Sequence, residues 1–549
     1  VTETNHQNSF LLSRWIYLRS LGLIHFVAYL SLSVQILMLN GENGILPIAG
    51  MLERLNDVYG ADAYGIVPTI FWFNSSDPFI LGVCIFGIVL SILVTLGILT
   101  GPSLILLAAL YSSLDNASGE FMAFQSDGLI IEATVLALFV VPWSILETPW
   151  SRSSKSLEEP SNLALALNRF LLFRLMFGAG LVKLLSHDPT WVNLTALSYH
   201  QETQPIPSPL AWFVHHAPMW VHKGSAIFTF AAELIAPFFY FSPRRLRFAA
   251  AFISAVLHVG IALTGNYTFL NYLSIALCIP LIDDAWFEKL VPFSLAKRLR
   301  NYLFIPAEKT LPVSLDDDVQ APEATSEDGR IGKTSSVETH SNSALKRASR
   351  LAIKLSVIIF FVLSGCQFII GVIGSYILPT GLGRVLTVLS PYRIFNSYGM
   401  FAVMTTTRPE IVFEGSADGK VWLPYTFKYK VDDLQKAPAV VAPHMPRLDW
   451  RLWFASMRDA TENPWVMNLA RLMLKGDPAV LSAFRSNPFP DRNPRYIRAF
   501  VYDYHFTDWR DLSEKGEWWR RDKKSIFFPP VELNEQDEIV PAAVEIRQD

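Results

Sequence analysis

The chain has 549 residues, enough for more than one structural unit. It is 51% hydrophobic and 17% charged, well under the roughly 25% charged share usual in soluble domains, with a mean hydropathy of +0.29. With 46 Lys and Arg against 49 Asp and Glu the net charge is −3, and no bulk field recruits nucleic acid. A soluble globular enzyme, a disordered chain and a DNA binder are disfavoured together, and a polytopic membrane protein is expected.

A membrane-crossing helix needs about 20 mostly apolar residues. Clear runs lie near 15–39, 79–99, 163–185, 224–242 and 353–378, and less sharp pairs at 103–120 with 124–143 and 246–264 with 268–283. Together they predict about nine spans; the third is the weakest because its apolar core, LILLAALYSSL, is short. The first run is too long for a removable signal peptide, and no A-x-A cleavage site follows it. Basic residues then set the orientation, since they collect on the cytosolic side. With a cytosolic N-terminus, Arg14, Arg19, Arg152, Lys155, Arg244, Arg245, Arg247 and the basic 284–350 loop are cytosolic, while the opposite connections hold Arg54 and Lys223. Nine crossings then leave the C-terminus outside the cytosol.

The expected fold is therefore an α-helical polytopic membrane domain over 1–305, a disordered cytosolic linker over 306–350, a last span within 351–384, and a non-cytosolic α+β domain over 385–549. The linker assignment rests on its DDD, Pro, Ser, Thr and Glu content, too poor in apolar groups to offset ordering entropy. In the last domain IVFEG, VWLPYTFKYK and IRAFVYDYHF alternate as half-buried strands do, and the Asp-Gly of SADGK predicts a hairpin over 410–430. Helices are predicted over 447–457 and 463–485, the second opened by an Asn463 cap and Pro464.

Ionisable groups within spans are costly and each needs an explanation. Glu132, Arg174, Lys183, Glu233 and His258 are such groups, with Asp127 at the mouth of the fourth span. Glu132, Lys183, His258 and Asp127 fall in the outer half of the bilayer. An internal pair is expected, Glu132–Arg174 or Glu233 with either base. Such pairs can fix helix register without catalysis, whereas a desolvated lysine can serve as a general base.

The outer loop 186–223 holds His187, His200, His215, His216 and His222, but neither their spacing nor the interrupting prolines (205, 207, 209) match a helical ligand set, so no metal is expected. Trp191, Trp212 and Trp220 suit an interfacial aromatic belt. Cys84, Cys278 and Cys366 all sit in apolar runs and make no CxxC pair or zinc set. No GxSxG, P-loop or GxGxxG fingerprint occurs, and no cofactor is expected. Asn74, Asn116, Asn193 and Asn266 begin N-x-S/T triplets, glycan acceptors in a secretory-pathway host.

Several stretches resemble the lipase maturation factor family: SRWIYLRSLGLIHFVAYLSL, FRLMFGAGLVKL, LSYHQETQPIPSPLAWFVHHAP, GNYTFLNYL, FNSYGMFAVMTTTRPEIVFEGS, APHMPRLDWRLWFA and NPFPDRNPRYIRA. The resemblance implies a multi-pass protein of the endoplasmic reticulum membrane, or of a bacterial inner membrane, that assists folding and assembly of secreted lipases in the manner of a chaperone. Membrane lipid and an exported client are the implied partners, with no nucleic acid. Candidate client contacts are His200, Glu202, Thr203, Gln204, His215 and His216 in the outer loop, and Arg447, Asp449, Trp450 and Trp453 in the C-terminal domain. Arg447, Asp449 and the tryptophans alternatively lock that domain's own core. A fainter similarity, the AGLVK run ending at Lys183, is to vitamin K-dependent γ-glutamyl carboxylases. It supports the alternative of an integral membrane enzyme modifying a lipid, quinone or peptide at Glu132, Lys183 and His258; convergence of these side chains on one cavity would favour it.

Overall fold

The computed structural model describes residues 9–146, 159–290, 335–374 and 379–544. Arg152, Lys155 and residues 306–334 of the expected linker lie outside the described residues. Residues 335–350, expected in the linker, instead begin the helix Ser335–Ile373.

Among the described residues six helical segments are long and apolar enough to cross a membrane: Leu11–Ser33, Asp77–Leu96, Asn162–Leu185, Met219–Phe241, Arg244–Thr264 and Leu351–Ile373. The other three expected spans form shorter or more polar elements, Thr100–Ala117, Gln125–Ala137 and Leu270–Leu281. At 1.5 Å per residue a 13-residue helix reaches about 20 Å, short of the roughly 30 Å hydrocarbon core. Among the described residues the helical half thus presents six candidate spans, and the three further expected crossings fall on these shorter or more polar elements.

Local chemistry sets the helix ends. Ser161 accepts the Ala164 N–H at 3.1 Å and opens Asn162–Leu185. Gly97 closes Asp77–Leu96 at φ +81°, a left-handed turn that favours glycine. The first helix has no local side-chain cap. Its orphan donors are met by Asp284, which accepts from Leu11 N at 2.8 Å and Ser13 N at 2.9 Å. Gly87 lets the Asp77–Leu96 helix lie against Leu11–Ser33, since a Cβ there would collide with the Tyr29 ring.

The C-terminal half carries a five-stranded antiparallel sheet, β2-β1-β5-β6-β7, built from β1 (Pro409–Ser416), β2 (Leu423–Pro424), β5 (Tyr496–Phe506), β6 (Trp519–Leu533) and β7 (Ile539–Pro541). The Asp-Gly turn stands, with Gly419 at φ +74° and Asp418 accepting from Lys420 N and Val421 N. The hairpin beyond it is short: Pro424 lacks an N–H to continue the ladder. The chain leaves as β3 (Thr426–Phe427) to pair with β4 (Phe484–Ser486). Pro464 starts a helix that ends at Gly476 (φ +67°), not at 485. Asn463 does not cap it; its amide donates back to the Asp459 carbonyl at 3.0 Å.

Ile411, Phe413, Ile497, Phe528 and Val531 of the sheet pack on Leu469 and Met473 of that helix. Leu39, Ile45 and Phe121 from the helical half complete the same core. The Phe121 ring meets Trp465 edge-on, with centroids 5.4 Å apart.

Candidate functional site

The polar residues of the outer-loop helix Ala196–Thr203 turn inward. His200, Glu202, Thr203 and Gln204 are all buried. Arg408, itself buried, donates to the Glu202 carbonyl at 2.7 Å, to Pro205 O at 2.8 Å and to Gln204 O. The Glu202 carboxylate accepts the Phe506 N–H. Burial, and after it the Lys183 charge, pushes His200 down to about 4, so its ring is neutral at physiological pH. His215 is likewise pushed to about 4 by burial and lies against Phe506, while His216 approaches Trp509. In this arrangement Glu202, His215 and His216 meet the chain's own C-terminal domain, while Thr203 and Gln204 bond to Tyr199, Gln201 and Thr264 carbonyls and His200 lies against Tyr267 and Phe401. The aromatic belt is also revised: Trp191 and Trp212 are buried, and of the three only Trp220 is exposed, at 75%.

Arg447 and Asp449 divide between two tasks. Asp449 is internal to its domain, where burial raises it to about 6 and the Lys430 N–H donates to it at 2.8 Å. Arg447 instead crosses the seam. It meets both oxygens of Asp127 at 2.8 and 2.9 Å and donates to Phe121 O at 2.8 Å. Tyr111 completes the set by donating to Asp127 at 2.7 Å. Gln35 accepts from Arg447 N at 3.0 Å, and Ser31 from Met445 N at 2.9 Å.

Asn266 bridges the same seam, accepting from Val441 N at 2.7 Å and Ala442 N at 2.9 Å while donating to Ala439 O at 2.8 Å. A buried amide so engaged leaves no room for a glycan. Asn116 is also committed, donating to Pro391 O at 2.8 Å, whereas Asn74 and Asn193 are exposed. Arg408, Gln35 and Ser31, and the bridging role of Asn266, have no local sequence signal, because their partners lie 173 to 414 residues away.

Within the bundle both acids find bases, in two separate pairs. Glu132 contacts Arg174 and accepts from Tyr398 at 2.7 Å. Lys183 Nζ meets both oxygens of Glu233 at 2.8 and 2.9 Å. A π-turn, Ala231–Ile235, presents Glu233, and Gly180 permits its approach, since a Cβ there would sit 2.9 Å from Glu233 Cβ. His258 contacts Asn271 at 3.2 Å and Met176 at 3.3 Å. Lys183, Glu233 and His258 share the wall of a cavity of about 40 Å³, but Glu132 does not reach it. The three candidate catalytic groups therefore do not converge, and the carboxylase-like reading is not favoured. Among the described residues no group of three or more His, Cys, Asp or Glu is placed to hold a metal.

A larger groove of about 480 Å³ lies where the seam opens. Phe124, Tyr267 and Leu270 of the helical half form one side, and Trp450, Trp453 and Phe454 the other. Of the expected client contacts, the two tryptophans are the ones that line it. Val403, Phe454 and Met457 stand 66%, 40% and 38% exposed around it and give it an apolar rim.

Comparison with known proteins matches both halves. Residues 12–289 fit the family model described as lipase maturation factor transmembrane domain, and residues 394–529 the one described as lipase maturation factor C-terminal domain. Human lipase maturation factor 2 is 34% identical, the match covering 95% of this chain and 83% of the human protein. Mouse lipase maturation factor 1 is 30% identical over 97% of this chain and 89% of its own. No solved structure matches. The chain belongs to the lipase maturation factor family.

Proposed function

We propose that this protein assists folding and assembly of an exported client, a secreted lipase being the first choice given the names its relatives carry. The groove between the halves takes up apolar segments that an unfinished client leaves uncovered. Binding that state alone shifts its fate by mass action, with no chemical step. The observation behind this reading is the exposed rim of Val403, Phe454 and Met457 around two buried tryptophans. In this reading Thr100–Ala117, Gln125–Ala137 and Leu270–Leu281 join the six longer segments to make nine crossings. The N-terminus is then cytosolic and the C-terminal domain lies on the far face, where exported chains emerge. The host membrane is the endoplasmic reticulum in a eukaryote or the inner membrane in a bacterium.

The test is co-expression with a secreted homodimeric lipase in cells lacking a factor of their own. The wild-type chain should raise secreted lipase activity, and Phe454→Asp with Met457→Asp should abolish most of that gain. Undiminished rescue by the double variant would overturn the groove assignment. Labelling of Val421→Cys by an impermeant thiol reagent from the non-cytosolic side tests the orientation; protection there with cytosolic access would refute it.

A further inference from the structure

A second cavity, of about 390 Å³, lies where Met219–Phe241 and Arg244–Thr264 meet the outer-loop helix, within the size range of lipid and small-molecule sites. Phe228, Val256, Leu257 and Ile261 make its walls chiefly apolar. Phe228 and Val256 are also partly exposed, on two helices long and apolar enough to cross a membrane. Its occupant would enter sideways from hydrocarbon.

The polar part of the wall includes Lys183, Glu233, His200 and Gln201, together with Ser225, Thr229 and Thr264. Lys183 and Glu233 are the sole Lys, Arg, Asp or Glu lining it, and their 2.8 Å pairing leaves no net charge. His200 Nδ1 and Gln201 Oε1 are buried without a hydrogen-bond partner, although both side chains are more than nine-tenths enclosed. Buried polar atoms are rarely left so, and they mark where a bonding group belongs. An anionic head would meet Glu233 with nothing to balance the added charge. A hydroxyl can accept from one of these groups and donate to another.

We propose that this cavity binds a membrane lipid with an uncharged, hydroxyl-bearing head, its hydroxyl beside the Lys183–Glu233 pair and its chain along Phe228, Val256 and Leu257. This site is independent of the client groove, and its test does not use client maturation as a readout.

The full chain in nanodiscs is exposed to a monoacylglycerol carrying a diazirine on its acyl chain, and the adducts are mapped. Label should concentrate in peptides holding Phe228, Val256 or Leu257. Unlabelled monoolein should compete at least tenfold better than oleate at pH 8 or phosphatidylglycerol. A Cβ at Gly260 meets nothing within 4 Å, so Gly260→Phe can fill the cavity without a clash at its base. That variant should lose labelling about tenfold with an unchanged melting temperature. Glu233→Gln leaves Lys183 unbalanced and should invert the preference toward the anionic competitor. Adducts spread evenly over all spans, labelling of Gly260→Phe equal to wild type, or equal competition by neutral and anionic lipids would each overturn the proposal. Should Glu233→Gln fail to fold, Gly260→Phe and the competition series decide.

Discussion

Asp127, in the seam, is met by two nitrogens of Arg447 and by the Tyr111 hydroxyl, and Arg447 is further held by Phe121 O and Gln35. Glu233, in the bundle, is met by Lys183 through both of its oxygens, and the pair borders two cavities. The charges are buried in both places, but their surroundings differ. A planar guanidinium with several fixed acceptors prescribes orientation as well as attraction. An ammonium on a flexible stem, with open space beside it, prescribes much less. Directional polar contacts thus fix how the halves meet, while the bundle interior keeps its ion pair within reach of whatever fills the cavity.

Arg447→Met should break this comparison most severely, since it strands Asp127 in a buried site. A loss of about 3–5 kcal/mol is expected, read as a lowered melting temperature and rapid proteolysis near the seam. Adding Asp127→Asn should recover part of that loss; a double variant no better than the single would deny the coupling. Asn266→Ala removes several seam hydrogen bonds and should cost about 1–3 kcal/mol, with faster amide exchange at residues 439–442.

Acidity sharpens the contrast further. Burial holds Asp432 up to about 7 and Asp449 up to about 6. Their stabilising contribution is complete below the ordinary carboxylate range and is lost as pH rises through those values. His200 and His215, depressed to about 4, act oppositely: their contribution is complete above 6.5 and is lost as pH falls toward 4. Asp432→Asn should therefore gain on the wild type between pH 4 and 8 in a melting series. The smallest effect is expected at the exposed rim, where Phe454→Asp should change stability by about 0.5 kcal/mol or less while impairing client rescue.

The long helices were legible because some twenty apolar residues in a row admit few other readings. Gln125–Ala137 was harder, since apolar residues 138–143 extend its hydropathy signal past the point where the helix stops. The intramembrane acids announce themselves by cost; the sequence predicts one internal pair, Glu132–Arg174 or Glu233 with either base, and the structure holds two, Glu132–Arg174 and Glu233–Lys183. Arg447 shows the limit most clearly. One sequence reading places it with Asp449 and the tryptophans in a core lock, yet its carboxylate lies 320 residues earlier, a separation at which periodicity carries no signal. The burial of His200 to Gln204 depends on Arg408 reaching their backbone carbonyls, which are alike in every sequence. The π-turn at Glu233 has no composition of its own and becomes visible only beside Gly180.

Because Leu39, Ile45 and Phe121 share a core with strands that end at residue 533, biogenesis of the two halves is interlocked. A nascent chain at about 5–20 residues per second inserts its first helices roughly half a minute to a minute and a half before the strands that cover those side chains exist. A ribosome stalled before β5 would hold out a sticky, unfinished collar at the membrane surface. The chain thus passes through an interval in which its own apolar surface needs shielding.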